Sequence, residues 1–170
     1  MAYAVTHVLI PLIILDLLRH YLLGKKKFPR YLIIVGGIAG LVPDIDLPLG
    51  GLINLLAGTE LRLHGLFTHS VLFVIIFALV GFLCYWWNNQ KWAKIFLVIC
   101  FGWLMHIFLD CLFRESVTRL LFWPLQWGDL FCASWNLYPY ALGIDAILLV
   151  LWLVHEEIHH YIKDYFYNGR

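Results

Sequence analysis

The stretch AKIFLVICFGWLMHIFLDCLF, residues 93–113, decides the fold. At about 1.5 Å per helical residue it is long enough to cross the roughly 30 Å hydrocarbon core of a bilayer. Lys94 stands near one end, and His106 and Asp110 are the ionisable groups deeper in the run. Such groups are costly inside a bilayer and mark functional sites by default. They stand four residues apart, so one helical turn sets them on the same face, within reach of a shared ion. The competing reading is a mutually satisfied pair of buried residues.

The rest of the chain has the same character. Of its 170 residues, 62% are hydrophobic and 14% charged, outside the range of soluble domains. That composition has room for about five membrane helices in a single membrane-embedded domain, residues 1–170, and none for a separate soluble domain. The expected fold is an all-α integral membrane protein with spans at Ala2 to Leu23, Tyr31 to Val42, Thr68 to Trp87, Ala93 to Phe113 and Asn136 to Ile158. The second span is broken by Pro43, just before Asp44-Ile45-Asp46. A break at membrane depth is tolerated only where it is buried in protein or lines a cavity. Gly36, Gly37, Ala39 and Gly40 in the same span allow close helix packing. The segment Arg114 to Trp135 is apolar and aromatic but holds Pro124 and Gly128, which suits an interfacial or re-entrant segment.

The first span has no small-residue cleavage pattern and reads as a retained helix, not a signal peptide. A net charge of +1 gives no basic field, so no nucleic-acid partner is expected. The four cysteines show no CxxC spacing. Cys84 and Cys100 read as small apolar residues, whereas Cys111 and Cys132 can pair if they face an oxidising compartment.

Lysine and arginine set the orientation. Placing the loop Lys25-Lys26-Lys27-Phe28-Pro29-Arg30 in the cytoplasm puts nine basic residues inside: Arg19, Lys25, Lys26, Lys27, Arg30, Lys91, Lys94, Lys163 and Arg170. Three stay outside, Arg62, Arg114 and Arg119. The N-terminus is then outside and the C-terminus inside. Tryptophans fit as interfacial belts, with Trp86, Trp87 and Trp92 on the inner side and Trp123, Trp127 and Trp135 on the outer.

This topology, drawn from basic residues alone, brings seven metal-ligating side chains to the outer face. They are His7, Asp44, Asp46, His64, His69, His106 and Asp110. Singly each has a bland reading. His64 and His69 are five apart around a helix start, where a loop histidine is usually solvated; Thr68 can cap that helix and Ser70 can bond a ligand. Asp44 and Asp46 can be an Asp-rich turn leaving the membrane, and His7 a structural histidine. Together, four histidines and three aspartates exceed the ligand set of one zinc site. They suit one or two divalent ions, with Zn, Mn or Fe favoured over Mg or Ca by mixed imidazole and carboxylate donors. Asp46 and Asp110 are the candidate catalytic carboxylates, and Arg114, Arg119 and Ser70 the candidate substrate-binding residues. Asp145 is a candidate for orienting a ligand histidine, and Glu60 and Glu115 for acid or base work.

Thr6-His7, Pro43-Asp44-x-Asp46, His64-x3-Thr68-His69-Ser70 and His106-x3-Asp110, in this order, resemble the YdjM-like family, as does Phe122-Trp123-Pro124 further on. The resemblance covers roughly Thr6 to Trp135. Members are described as metal-dependent hydrolases associated with the bacterial inner membrane, and some carry a LexA-binding label, for which this chain offers no soluble domain. The resemblance therefore implies a multi-pass inner-membrane hydrolase with the seven residues as its metal site. Here His64-Gly65-Leu66 stands where the family often reads His-Arg-Gly, so the arginine that would meet an anionic substrate is missing.

A second motif competes. His155-Glu156-Glu157-Ile158-His159 matches HExxH, the helix signature of many zinc peptidases. The topology sets it at the opposite membrane face, where an interfacial helix end is the bland reading. Asp16 and His20 lie at that face too and read as a structural pair. The sequence thus points to a metal-dependent hydrolase acting at the outer interface on a membrane lipid or lipid-linked phosphoester. A metal-ion transporter or sensor and an HExxH-type intramembrane peptidase are the alternatives.

Overall fold

The computed structural model describes residues 4–60, 67–113, 122 and 138–160. All regular structure among them is helical. Helix α1 is Ala4–Leu18 and continues as a π-helical turn, Arg19–Leu23. Then come α2 (Arg30–Ala39), a 3-10 turn (Val42–Ile45) and α3 (Asp46–Ala57). A short 3-10 turn, Phe67–His69, leads into α4 (Val71–Trp86). Helix α5 (Gln90–Phe113), a 3-10 turn at Tyr138–Tyr140 and α6 (Ala141–His160) complete the set among the described residues.

Ala4–Leu23 and Gln90–Phe113 are each long and apolar enough to cross a membrane, and α2 with Val42–Ala57, bent by 49°, forms a third candidate. This is fewer than the five spans expected from sequence. The difference lies in α4, apolar but only 16 residues long, and α6, which carries Asp145, Glu156 and Glu157. The break in the second span is where Pro43 was expected to place it.

Contacts fix the relative directions of the helices. Gly40 meets His7 and Pro11 while Gly36 meets Leu15, so α2 runs antiparallel to α1. His106 bonds Gly40 while Val98 lies by Gly36, so α5 runs with α2. Trp103 bonds Thr68 while Leu97 meets Gly81, so α4 runs against α5. Thr6 bonds Asp145 and Asp16 pairs with His155, so α6 runs parallel to α1. His7, Asp44, His69, His106 and Asp110 therefore lie at one end of the bundle. Asp16, His20, Arg30 and His155 lie at the other.

Between the two ends the helices pack on an apolar cluster of Leu15, Phe28, Leu32, Ile33 and Val98. At the second end Arg19 Nε donates to the Phe28 carbonyl at 3.0 Å and Lys94 Nζ to the Lys27 carbonyl at 2.7 Å, tying down the basic loop. Gly24, at φ 81°, lets the chain leave the π turn where a side chain would be strained. A second apolar cluster, Val74, Trp103 and Ile107, joins α4 to α5, with Phe73 and Trp103 stacked at 5.2 Å.

Close backbone approach sets the spacing of α1, α2 and α5. A Cβ on Gly102 would stand 2.6 Å from the Gly36 carbonyl oxygen, and one on Gly40 would overlap the His7 carbonyl. Neither obstacle is a flexible side-chain end, so neither can move aside alone. We expect Gly102→Val to force α2 and α5 apart, lowering stability by about 1–3 kcal/mol or more, as overpacked cores do. Gly51→Ala, which meets nothing within 4 Å, should be neutral. Thermal unfolding of the two variants in detergent checks the pair; equal Tm values would show that this close approach does not hold the bundle.

Candidate metal centre

Each donor is delivered by its own piece of backbone. His7 comes from the second turn of α1, His106 and Asp110 from successive turns of α5, Asp44 from the 3-10 break after α2, and His69 from the turn before α4. Their ring nitrogens and carboxylate oxygens converge. His106 Nε2 is 3.2 Å from Asp110 Oδ2 and 3.6 Å from Asp44 Oδ1. His69 Nε2 is 3.4 Å from Asp44 Oδ1 and 3.7 Å from Asp110 Oδ2. His7 Nε2 is 3.3 Å from Asp110 Oδ1. The His7 and His106 rings stack at 4.1 Å, and His69 meets His106 edge-on at 5.0 Å.

These separations fit an ion better than hydrogen bonds. Four ligand atoms held tetrahedrally at about 2.0–2.1 Å from zinc are roughly 3.3 Å from one another. The atoms are also underused as hydrogen-bonding groups. His106 Nε2 and both oxygens of Asp110 are buried and make no hydrogen bond among the described residues. An unbonded buried carboxylate is strongly unfavourable unless a cation lies beside it. Two overlapping groups can each hold an ion: His7 with His106 and Asp110, and Asp44 with His69 and His106.

The backbone sets the tautomers. In a regular helix the Gly40 carbonyl would accept from Asp44 N–H, and in a 3-10 turn from residue 43. Asp44 N–H instead donates to the Leu41 carbonyl, and Pro43 has no N–H. The Gly40 oxygen is thus left to accept from His106 Nδ1 at 2.7 Å. A carbonyl only accepts, so the proton sits on Nδ1 and Nε2 presents its lone pair to the centre. His69 is arranged by a side-chain relay. Thr68 Oγ1–H donates to Asp46 Oδ2 at 3.2 Å, which leaves Oγ1 to accept from His69 Nδ1 at 3.0 Å. The Thr68 carbonyl is held in turn by the Trp103 indole N–H at 2.8 Å.

Six of the seven residues expected at this face are therefore together: His7, Asp44, Asp46, His69, His106 and Asp110. Asp46 stands on the Nδ1 side of His69, 3.6 Å away. His64, Arg114, Arg119, Glu115 and Cys132 lie outside the described residues. Ser70 is fully buried, and its hydroxyl caps α4 by accepting from Leu72 N–H at 3.2 Å, the capping place the sequence offered to Thr68. Asp145 accepts from Thr6 at 2.6 Å, one residue from His7. Glu60 is exposed. Sequence reasoning missed Gly40 and Trp103; a carbonyl left free four residues before an interior aspartate, by an intervening proline, was the available signal for the first.

Beside the centre, an apolar pocket of about 380 Å³ runs along α2 and the start of α3, lined by Ile38, Leu41, Val42, Ile45 and Leu47. Asp44 also lines it, and its side chain is 16% exposed where those of His106 and His69 are 0% and 2%. At the far end of the bundle, a second group joins Asp16 and His20 of the first helix to His155 of the HExxH stretch.

A model of the YdjM inner membrane protein family matches residues 1–165. No curated protein and no solved structure matches the chain significantly. The family match spans every helix that contributes to the centre, and the chain belongs to the YdjM inner membrane protein family.

Proposed function

We propose that the chain is a membrane-embedded, metal-dependent hydrolase whose site opens at the outer headgroup level of the inner membrane. The observation that carries this reading is the set of buried imidazole and carboxylate donors spaced 3.2–3.7 Å apart with no hydrogen bonds on His106 Nε2 or the Asp110 oxygens. A divalent ion such as Zn or Mn held there supplies Lewis acidity and an activated water.

The chain's own residues divide the work. His7, His69, His106, Asp44 and Asp110 are the ligands, with Asp110 placed to serve either one ion or two. Asp46 and the Thr68 hydroxyl keep the proton on Nδ1 of His69, which makes Asp46 a positioning residue. Asp44 alone of the ligands faces the pocket, so a substrate meets the centre there and Asp44 can take or return its proton. The pocket walls are aliphatic, which fits an acyl or isoprenoid chain, while a polar head reaches the ligands. We therefore take an amphiphilic ester or lipid-linked phosphoester as the substrate class. Arg114 and Arg119 remain proposed substrate contacts and His64 a further ligand, whereas the buried Ser70, which caps α4, supports the site from behind.

Two observations support the outer placement. Among the described residues, Arg19, Lys25, Lys26, Lys27, Arg30, Lys91 and Lys94 all lie toward the end of the bundle away from the centre. Cys111, next to Asp110, is disulfide-bonded, whereas Cys84 and Cys100 are free. Disulfides persist outside the cytoplasm. The transport alternative is weaker because fully packed Leu15, Leu32, Ile33 and Val98 fill the middle of the bundle.

Three outcomes follow. An impermeant thiol reagent added to intact cells should label Thr59→Cys and spare Lys26→Cys and Lys91→Cys; the reverse pattern would place the centre inside. Purified protein should bind one or two transition ions at this centre, and Asp110→Ala should lose those ions, while Asp46→Asn should weaken their binding by about 10–100-fold, the usual effect of removing a ligand's orienting partner. Wild-type metal content in His69→Ala, His106→Ala would remove the assignment. Finally, vesicles of total membrane lipid should lose one lipid class with wild-type protein, not with Asp110→Ala or chelator, and regain turnover with Zn or Mn. Ion flux across vesicles without any lipid change would favour transport instead.

A further inference from the structure

The far end of the bundle repeats the pairing that builds the centre. Asp16 and His20 stand four residues apart, as His106 and Asp110 do, and the π-helical turn carries His20. Helix α6 brings His155 against them. Asp16 Oδ2 is 3.1 Å from His155 Nδ1, and Asp16 Oδ1 is 3.2 Å from His20 Nδ1. That nitrogen donates to the Asp16 backbone carbonyl at 3.0 Å, so the lone pair of the His20 ring is on Nε2. The His20 and His155 rings meet edge-on at 5.0 Å. One ligand atom from each of the three residues lies within 4.8 Å of the other two.

Asp16 is 1% exposed, its oxygens lack a well-formed hydrogen bond among the described residues, and the Glu156 carboxyl stands beside it. Arg19 Nε donates to the Phe28 carbonyl, and Arg30 pairs with Glu156 at 3.1 Å. A buried carboxylate flanked by two imidazoles from different helices needs positive charge at that point. A pocket of about 220 Å³ adjoins it, lined by Asp16, Arg30, Trp152, Glu156 and apolar residues of α1 and α2.

We propose that Asp16, His20 and His155 form a second site for a divalent transition-metal ion, at the opposite end of the molecule from the first. Two imidazoles and one carboxylate are a donor set for Zn, Mn or Fe(II), and three protein ligands leave coordination positions open toward the pocket. Nine residues of helix separate His7 from Asp16, about 14 Å along the axis, so one ion cannot serve both groups. The ion joins α1 to α6 through groups that lie far apart in sequence. The HExxH stretch then contributes its first histidine, His155, together with ligands from another helix, while Glu156 sits with Arg30 beside the pocket. This site stands or falls independently of the hydrolase reading.

The test is metal content of the full-length protein purified in detergent, stripped with chelator and reloaded with Zn or Mn alone. Wild type is compared with His20→Ala, His155→Ala and with His106→Ala, Asp110→Ala. We expect each double variant to lose its own ion and keep the other, and the four changes together to abolish binding. The ion retained by His20→Ala, His155→Ala shows that it is folded. Wild-type content and affinity in that variant would overturn the proposal. If it does not fold, His155→Gln and Asp16→Asn are measured beside metal-free wild type. A metal-dependent rise in Tm of His106→Ala, Asp110→Ala, absent when His155→Gln is added, supports the site. Unfolding of both single variants, with His106→Ala, Asp110→Ala equally stable metal-free and metal-loaded, would make the trio a structural ion pair and overturn it.

Discussion

The structure depends on one constraint, the burial of the Asp110 carboxylate. Its side chain is 4% exposed, three imidazoles surround it, and it makes no hydrogen bond among the described residues. A lone carboxylate in such surroundings would cost several kcal/mol even after relaxation. Three separate backbone segments, α1, the turn before α4 and α5, bring nitrogen donors to it. Positive charge among those donors offsets that cost, and their spacing is one that could hold a metal ion. The fold and the centre are thus two descriptions of the same packing problem.

The backbone breaks are part of that solution. Pro43 and the 3-10 turn free the Gly40 carbonyl to hold His106, and they also turn Asp44 inward and start α3 at a new angle. Pro11 has a parallel effect on α1. It removes the amide that would bond the His7 carbonyl, and Gly40 approaches that carbonyl too closely for any side chain. Helix irregularities that look unfavourable in isolation are therefore placed where a ligand histidine or its partner needs them.

Much of this was legible in the chain. Apolar runs gave the helices, and four of the five expected stretches both begin and end within about three residues of the observed helices, as boundary assignments usually vary. Basic residues alone sorted the ionisable groups into two ends, and the contacts between helices reproduce that sorting. The i, i+4 spacing placed His106 and Asp110 together because one helix carries both. What stayed hidden depended on contacts between elements. Nothing in the sequence says that Thr68 joins His69 to Asp46, or that the Trp103 indole holds the Thr68 carbonyl. Nor does periodicity reveal that α6 lies along α1, so Asp16 and His20 looked like a self-contained pair. Helix α3 follows the break the sequence located, but its exposed leucines have no periodic partner to announce them.

The two ends of the bundle show why spacing alone undervalues a ligand pair. Asp16 and His20 satisfy the same helical rule as His106 and Asp110, and on sequence the two pairs are equivalent. They differ in what neighbouring helices deliver. At one end, three further elements add His7, Asp44 and His69, and an apolar pocket reaches the edge of the group at Asp44. At the other, α6 adds His155, Arg19 Nε donates to the Phe28 carbonyl and Arg30 pairs with Glu156. A donor pair on one helix is half of a site, and the second half is a property of helix packing. That is why close glycine contacts, remote from any ligand in chemical character, decide whether the ligand atoms meet at 3 Å or miss one another by the width of a side chain.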